Sequence, residues 1–148
     1  MGKTEPKYVT FEQGLKLKQK GFDIACRTYY RNYSTAIIME WDRGKSYNAN
    51  DDAKMETAGG MTYVSAPEQW MVVEWLFNTY LIDISSIPVK HRGERSINFQ
   101  YRVVNFNEIE IQEDVLFEHQ YNRGFQEYSS KHEAISAGID YVLNTAMI

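Results

Sequence analysis

The sequence lacks the features that mark secreted and membrane proteins. It has one cysteine, Cys26, among 148 residues, and a single thiol cannot form an intramolecular disulfide. No basic and then apolar leader, the pattern of a secretory signal, precedes Thr10. The longest apolar run is interrupted by Glu74 and Asn78, so it falls short of the roughly 20 residues that a membrane helix needs. We therefore expect a soluble cytoplasmic protein that does not enter a membrane.

The chain also lacks a surplus of positive charge. It carries 16 Lys and Arg against 20 Asp and Glu, a net charge of -4. A general nucleic-acid binder needs a basic contact face to neutralise phosphates, so this function class is not expected. With 148 residues the chain has the length of one domain that can bury a core without disulfides. We predict a single domain over residues 1–148.

Catalytic signatures are absent as well. The pair Gly59-Gly60 is not followed by the Lys-Ser/Thr of a phosphate-binding loop, and no His-Glu-x-x-His helix occurs. His91, His119 and His132 lack metal-ligand spacing. We predict no cofactor, no metal and no catalytic residue, which favours a protein without enzymatic activity but leaves catalysis open.

Two further groups with chemical potential have simpler interpretations. Four acidic residues, Glu108, Glu110, Glu113 and Asp114, could hold Mg²⁺ or act as an acid and base pair. A solvated edge strand explains them better, because charges on an edge discourage aggregation. Cys26, between Ala25 and Arg27, fits a small core residue better than a nucleophile.

Three helix starts have the spacing of a capping box, in which a hydroxyl and a side chain three residues later satisfy the first N–H groups of the helix. They are Thr10 with Gln13, Ser65 with Glu68 and Ser130 with Glu133. These starts predict helices over residues 11–20, from Ser65 to about Leu81 and over 131–147. Gly21 predicts a Schellman ending for the first helix, with Phe22 against Leu17.

Runs rich in aromatic and β-branched residues predict the strands. They cover 25–30, 34–41, 84–90, 96–104, 108–111 and 115–121, with turns at 32–33, 92–93 and 122–124. Between them, residues 43–60 lack periodicity, which predicts a long loop or a partly disordered insertion. The fold class is therefore α+β: an antiparallel sheet with two main helices packed on one face and a short N-terminal helix at its edge.

The central helix supplies the first candidate binding surface. At 100° per residue, its apolar arc contains Trp70, Val72, Val73, Leu76, Phe77, Tyr80 and Leu81. Met71 and Trp75 fall instead within the polar arc. Because large apolar residues in such an arc can anchor a partner, both are candidate interface residues. Burial under another helix of the same chain is the alternative.

The second candidate surface is the basic segment Lys90-His91-Arg92-Gly93-Glu94-Arg95. Arg102 could join it from the neighbouring strand. Guanidinium groups on a hairpin can hold a phosphate or carboxylate with two hydrogen bonds each. Arg92, Arg95 and Arg102 are therefore the candidate residues for a small anionic ligand, and an ordinary solvated turn is the alternative.

Three segments carry a family resemblance. They are Gly21-Phe22-Asp23 with Cys26 and Tyr29-Tyr30, then Tyr63 through Leu76, and Tyr128 through Ile139. Together they resemble a family of small uncharacterised proteins from bacteriophages and mobile elements of gut Bacteroidetes. The likeness excludes about 43–60 and rests on caps and core positions, with Glu68 standing where relatives often have Thr. It implies a phage context and carries no active site.

These observations lead to three functional hypotheses. The first is a non-enzymatic, phage- or prophage-associated interaction protein in the bacterial cytoplasm, which binds a protein partner or itself. The second is a structural component of a virion, and the third is a protein that binds a small anionic ligand or nucleotide.

Overall fold

The computed structural model describes residues 5–32, 36–52, 55, 62–108, 121–145 and 147–148. In these residues the helices are α1 (Phe11–Gln19), α2 (Gln69–Tyr80) and α3 (Lys131–Asn144). The strands are β1 (Thr28–Asn32), β2 (Ala36–Glu40), β3 (Thr62–Ser65), β4 (Ile82–Val89), β5 (Asn98–Asn105) and β6 (Tyr121–Arg123). The predicted α+β class with a short N-terminal helix is confirmed.

Among the described residues, the strands form two antiparallel sheets, where the sequence predicted one. The described strands pair in the orders β2-β1-β3 and β4-β5-β6. The chain divides into two units at the same place, residues 1–68 and residues 69–148, and each sheet lies within one unit. Strand β3 is the element that the sequence did not reveal, because four residues are too few to display a period. The single domain over 1–148 stays a prediction.

Helix α1 begins and ends as its sequence predicts. Thr10 and Gln13 form the reciprocal capping box, with hydrogen bonds of 3.0 and 3.2 Å. At the other end the Phe22 N–H donates to the Leu17 carbonyl at 2.9 Å, and Gly21 adopts a φ of 86°. This is the Schellman arrangement, in which the left-handed position favours glycine. Leu17 and Phe22 are both buried, so the ending also contributes to the core.

The first unit packs α1 against its sheet. Tyr30, Val64 and Ala66 form a buried cluster, and Phe11 of α1 packs against it. The approach is close at Gly14, where an added Cβ would lie 3.0 Å from a Val64 methyl. The first sheet is therefore covered by α1 on the face that carries Tyr30.

Ser65 does not cap α2, so that prediction is wrong. It is the last residue of β3, lies opposite Tyr29 in the sheet, and precedes α2 by four positions. Its N–H donates to the Asn50 side chain at 2.9 Å, and its buried hydroxyl has no partner of good geometry among the described residues. The spacing of Ser65 and Glu68 shows only that their side chains could reach the first N–H groups of a helix. In the structure Ser65 pairs in a strand, so the helix begins later.

Part of the predicted 43–60 loop lies against the first sheet. Tyr47 and Cys26 exchange backbone hydrogen bonds of 2.9 and 3.0 Å. The Asn50 amide donates to the Phe22 carbonyl at 2.9 Å, while its oxygen accepts the Ser65 N–H. Ala49 is fully buried. Residues 53–54 and 56–60 lie outside the described residues.

The second unit is built on the β4–β5 hairpin, which confirms both predicted strands and their turn. Val89 pairs with Asn98 nearest the turn, and Gly93 takes the positive φ of 87° that the turn requires. Helix α3 packs on both strands, and α2 packs on β4 and α3. The buried residues of α3 are Ala134, Gly138, Ile139, Val142 and Leu143.

The second unit also corrects two predicted details. The predicted turn at 122–124 is wrong, because Asn122 and Arg123 pair with β5. Gly124 serves a close approach, since an added Cβ would lie 2.2 Å from the Tyr101 ring. Most of the predicted strands at 108–111 and 115–121 lies outside the described residues. No helix in the described part of the chain is long and apolar enough to span a membrane.

Candidate protein-interaction surface

Apolar side chains reach solvent where α2 ends. Phe77 is 43% exposed, Leu81 46% and Phe106 36%. The Phe77 and Phe106 rings meet edge to face, with centroids 6.0 Å apart. We call these three residues the Leu81 patch. Trp70, which is 60% exposed, lies two helical turns before Phe77 on α2. Contiguous exposed apolar groups of this kind mark interaction sites more often than isolated ones do.

Leu81 is held in a conformation that disfavours it. Its φ is 56°, in the left-handed region where glycine or asparagine is usual after a helix. Its N–H donates to Phe77 at 3.0 Å, and the Asn107 amide donates to the neighbouring Tyr80 carbonyl at 2.6 Å. Surrounding hydrogen bonds thus fix the backbone of an exposed leucine. A strained conformation of this kind is an observation from which function can be inferred.

The predicted Met71 and Trp75 patch is not exposed as expected. Trp75 is only 7% exposed and its ring lies edge-on to Tyr80 at 5.4 Å. Met71 is half-buried. Trp75 is therefore a buried residue, and its assignment to an exposed patch is wrong.

The same correction applies to the other side of α2. Trp70, Phe77 and Leu81, assigned to the buried arc, are exposed. The helix carries apolar side chains all round, so periodicity barely distinguishes one face from another. Packing against β4 and α3 selects the buried residues. The sequence signal for the patch was this excess of apolar residues, because a single buried face of the helix cannot accommodate all of them.

The candidate anion site is divided by the structure. Arg92 and Arg95 are exposed at the hairpin turn. Arg102 lies opposite Ser85 and donates to its hydroxyl at 3.1 Å. Asn98 is the residue of β5 nearest the turn. Arg102 lies four residues farther along the strand, which is about 13 Å at the usual strand rise. The turn therefore presents Arg92 and Arg95 without Arg102.

His91 has a specific partner near the same turn. Its Nε2 lies 2.7 and 2.8 Å from the two carboxylate oxygens of Glu127. The hydrogen bond and charge of Glu127 raise the pKa of His91 above its usual value of 6.5, and Glu94 adds to the rise. The pair connects the hairpin to the residues before α3, where Phe99 and Tyr128 exchange backbone hydrogen bonds of 2.8 and 2.7 Å.

Cys26 is a core residue, as predicted. It is 1% exposed, and its thiol donates to the Ile24 carbonyl at 3.3 Å. Burial raises the pKa of the thiol to about 12. Because a thiolate is the nucleophilic form, this cysteine is not poised for catalysis.

No three His, Cys, Asp or Glu side chains meet as a metal site within the described residues. Of the predicted acidic cluster, Glu108 lies in the turn after β5, with its N–H on the Asn105 carbonyl. Glu110, Glu113 and Asp114 lie outside the described residues.

Comparisons with protein-family models, with curated proteins and with solved structures find no match. Kinship with the phage and mobile-element family therefore stays a prediction from the sequence.

Proposed function

We propose that this protein is a non-enzymatic interaction protein of bacteriophage or prophage origin, acting in the bacterial cytoplasm through protein–protein contacts. The phage context comes from the family resemblance. The interaction role is supported chiefly by Leu81, an apolar residue that is both exposed and strained. Asparagine or glycine there would relieve the backbone and remove apolar surface from solvent. Solubility does not account for an exposed, strained leucine here, whereas a contact with a partner does.

The neighbouring residues suit such a contact. Phe77 and Phe106 flank Leu81 with aromatic surface, the residue class that contributes most to interfaces. The exposed polar residues Glu74 and Asn78 lie beside them on α2. A small apolar centre with a polar border is the usual arrangement of an interaction surface. The partner we propose is a folded protein with a complementary apolar groove.

Two alternatives have their own tests. A virion structural component would use the same patch to assemble, giving polymers whose mass grows with concentration. A protein binding a small anion or nucleotide would use Arg92 and Arg95 at the hairpin. Inorganic phosphate or nucleotides would then raise the melting temperature, and reversal of both charges would abolish the rise.

The decisive experiment compares capture of proteins from infected host cells by three immobilised forms of the chain. Wild type and Thr79→Glu should retain a common partner, and Phe77→Glu should lose it. Thr79 is also exposed on α2, so it controls for added charge. With the purified partner, Phe77→Glu should weaken binding by about 2 kcal/mol or more, as expected for an interface anchor. Equal retention by all three forms would reject the Leu81 patch as the binding surface.

A further inference from the structure

Strand β2 presents an edge to which no described strand is paired. It is the outer strand of the order β2-β1-β3. Its five residues are Ala36, Ile37, Ile38, Met39 and Glu40. They include neither proline nor lysine, the residues with which proteins commonly protect an edge from pairing. Ile38, at the centre, is 38% exposed.

The opposite edge of the same sheet is treated differently. On β3, the Ser65 N–H donates to the Asn50 side chain at 2.9 Å, and the Tyr63 carbonyl accepts the Lys18 ammonium at 3.1 Å. Side chains therefore occupy two of the polar backbone groups that β3 directs away from β1. Among the described residues, this contrast leaves β2 as the edge of the sheet with which another strand could pair.

The register shows which β2 backbone groups face outward. The Trp41 N–H donates to the Arg27 carbonyl at 3.1 Å, which makes Arg27 and Trp41 a hydrogen-bonded pair. Such pairs alternate along an antiparallel ladder, so Met39 and Ile37 also bond to β1. The N–H and C=O groups of residues 36, 38 and 40 consequently point away from β1. They are spaced symmetrically about Ile38.

We infer that β2 pairs antiparallel with β2 of a second copy of this chain, about a two-fold axis at Ile38. The three outward-facing residues of each copy would exchange about six hydrogen bonds, and the two sheets would become continuous. Because the axis is perpendicular to the sheet, Tyr30, Ile38 and α1 of both copies lie on the same face. The two Ile38 side chains then cover each other.

Self-pairing is favoured over an unrelated strand because the sequence of β2 is complementary to itself. About this axis Ile38 faces Ile38, and position 37 faces Met39. Glu40 faces Ala36 of the other copy, so the two Glu40 carboxylates are at opposite ends of the ladder. Like charges directly opposite would destabilise the pair, and this register avoids them. The contact is separate from the Leu81 patch and does not depend on the proposed partner.

Sedimentation analysis of the full chain over a wide concentration range tests the inference. We expect the wild-type mass to rise from the monomer value of 17.3 kDa towards that of a dimer. Ile38→Lys sets two charges against each other, and Ile38→Pro removes the outward N–H while leaving the ladder to β1 intact. Both variants should remain monomeric. Ile24→Lys is the matched control, since Ile24 is 42% exposed, and it should dimerise like wild type.

A cysteine variant tests the register independently. In Ile38→Cys the two new thiols lie directly opposite at the axis, within disulfide distance, whereas Ile24→Cys gives no such pair. Mild oxidation should give a covalent dimer of the first variant only. A wild-type chain that stays monomeric throughout would overturn the inference. A dimer that persists in the Ile38→Pro variant would also overturn it. If only Phe77→Glu abolished the dimer, self-association would be assigned to the Leu81 patch instead.

Discussion

The carbonyl oxygen of Leu81 accepts the backbone N–H of Phe106 at 2.9 Å. This bond connects the residue after α2 to the residue after β5, and it brings two exposed apolar side chains together. Leu81 keeps a left-handed backbone, with a φ of 56°. This hydrogen bond thus helps to form the Leu81 patch and to hold the Leu81 backbone in its strained conformation.

The strain at Leu81 can be measured by comparing two substitutions. Leu81→Ala and Leu81→Gly both remove the side chain, but only glycine accepts a positive φ without steric conflict. The glycine variant should be more stable than the alanine variant by about 1 kcal/mol. The free energy of unfolding in urea provides the measurement. At an ordinary helical position alanine is the more stable of the two, and that order at residue 81 would contradict the assigned conformation.

Thr10 and Ser65 both have the capping spacing, but their alanine variants should differ in stability. Thr10→Ala removes a cap seen in the structure and should cost about 1 kcal/mol. Ser65→Ala removes a buried hydroxyl without a good partner, so it should leave stability unchanged or raise it by up to about 1 kcal/mol. Denaturant midpoints of both variants decide the matter. A clear loss with Ser65→Ala would restore the helix-capping assignment.

Gly138 should not tolerate a methyl group. A Cβ there would lie 2.7 Å from the Ile84 Cγ2 and 3.3 Å from the Tyr101 Cβ. These atoms are close to the backbone of a packed sheet and cannot move freely. Gly138→Ala should therefore destabilise the fold by roughly 1–2 kcal/mol, with the overpacking cost exceeding the gain in helix propensity.

A double variant separates overpacking at Gly138 from other causes. Ile84→Ala alone should leave a cavity and cost roughly 2–4 kcal/mol. Adding Gly138→Ala to it should cost little or nothing, because the clashing methyl is gone. Thermal or chemical unfolding of the two single variants and the double variant completes the cycle. Additive losses of stability would show that the contact with Ile84 is not the reason why residue 138 must be glycine.

The His91–Glu127 pair should stabilise the fold at low rather than high pH. The folded pKa of His91 is raised above 6.5, chiefly by its hydrogen bond to Glu127. Its contribution is therefore fully present below the unfolded pKa near 6.5 and is lost as pH rises through the folded value. NMR titration of the His91 ring should give a raised pKa in wild type. The value should fall in Glu127→Gln, and identical titrations would contradict the pairing.

Cys26 should react slowly in the folded protein. Its thiol is buried, and its pKa of about 12 leaves almost no thiolate near neutral pH. Labelling by a thiol reagent should be slow in buffer and rapid in concentrated urea. Reaction at the rate of free cysteine under native conditions would show that the residue is accessible.

Local signals were sufficient for several elements. The Thr10 cap and the Gly21 ending specify α1, because both depend on contacts within a few residues of each other. Runs of aromatic and β-branched residues and a glycine turn predicted the hairpin of β4 and β5. The buried face of α3 was predictable because its apolar residues occupy only one side of the helix.

Tertiary structure decided the features on which function depends. The apolar residues of α2 surround the helix, so only packing against β4 and α3 exposes Phe77 and buries Trp75. Ser65 fits a cap or a strand equally well by spacing, and its pairing with Tyr29 chooses the strand. Register along β5 places Arg102 away from the turn that carries Arg92. In each case the sequence by itself determined the local preference, while contacts between distant residues determined which preference could be satisfied, because burial and strand pairing depend on partners far along the chain.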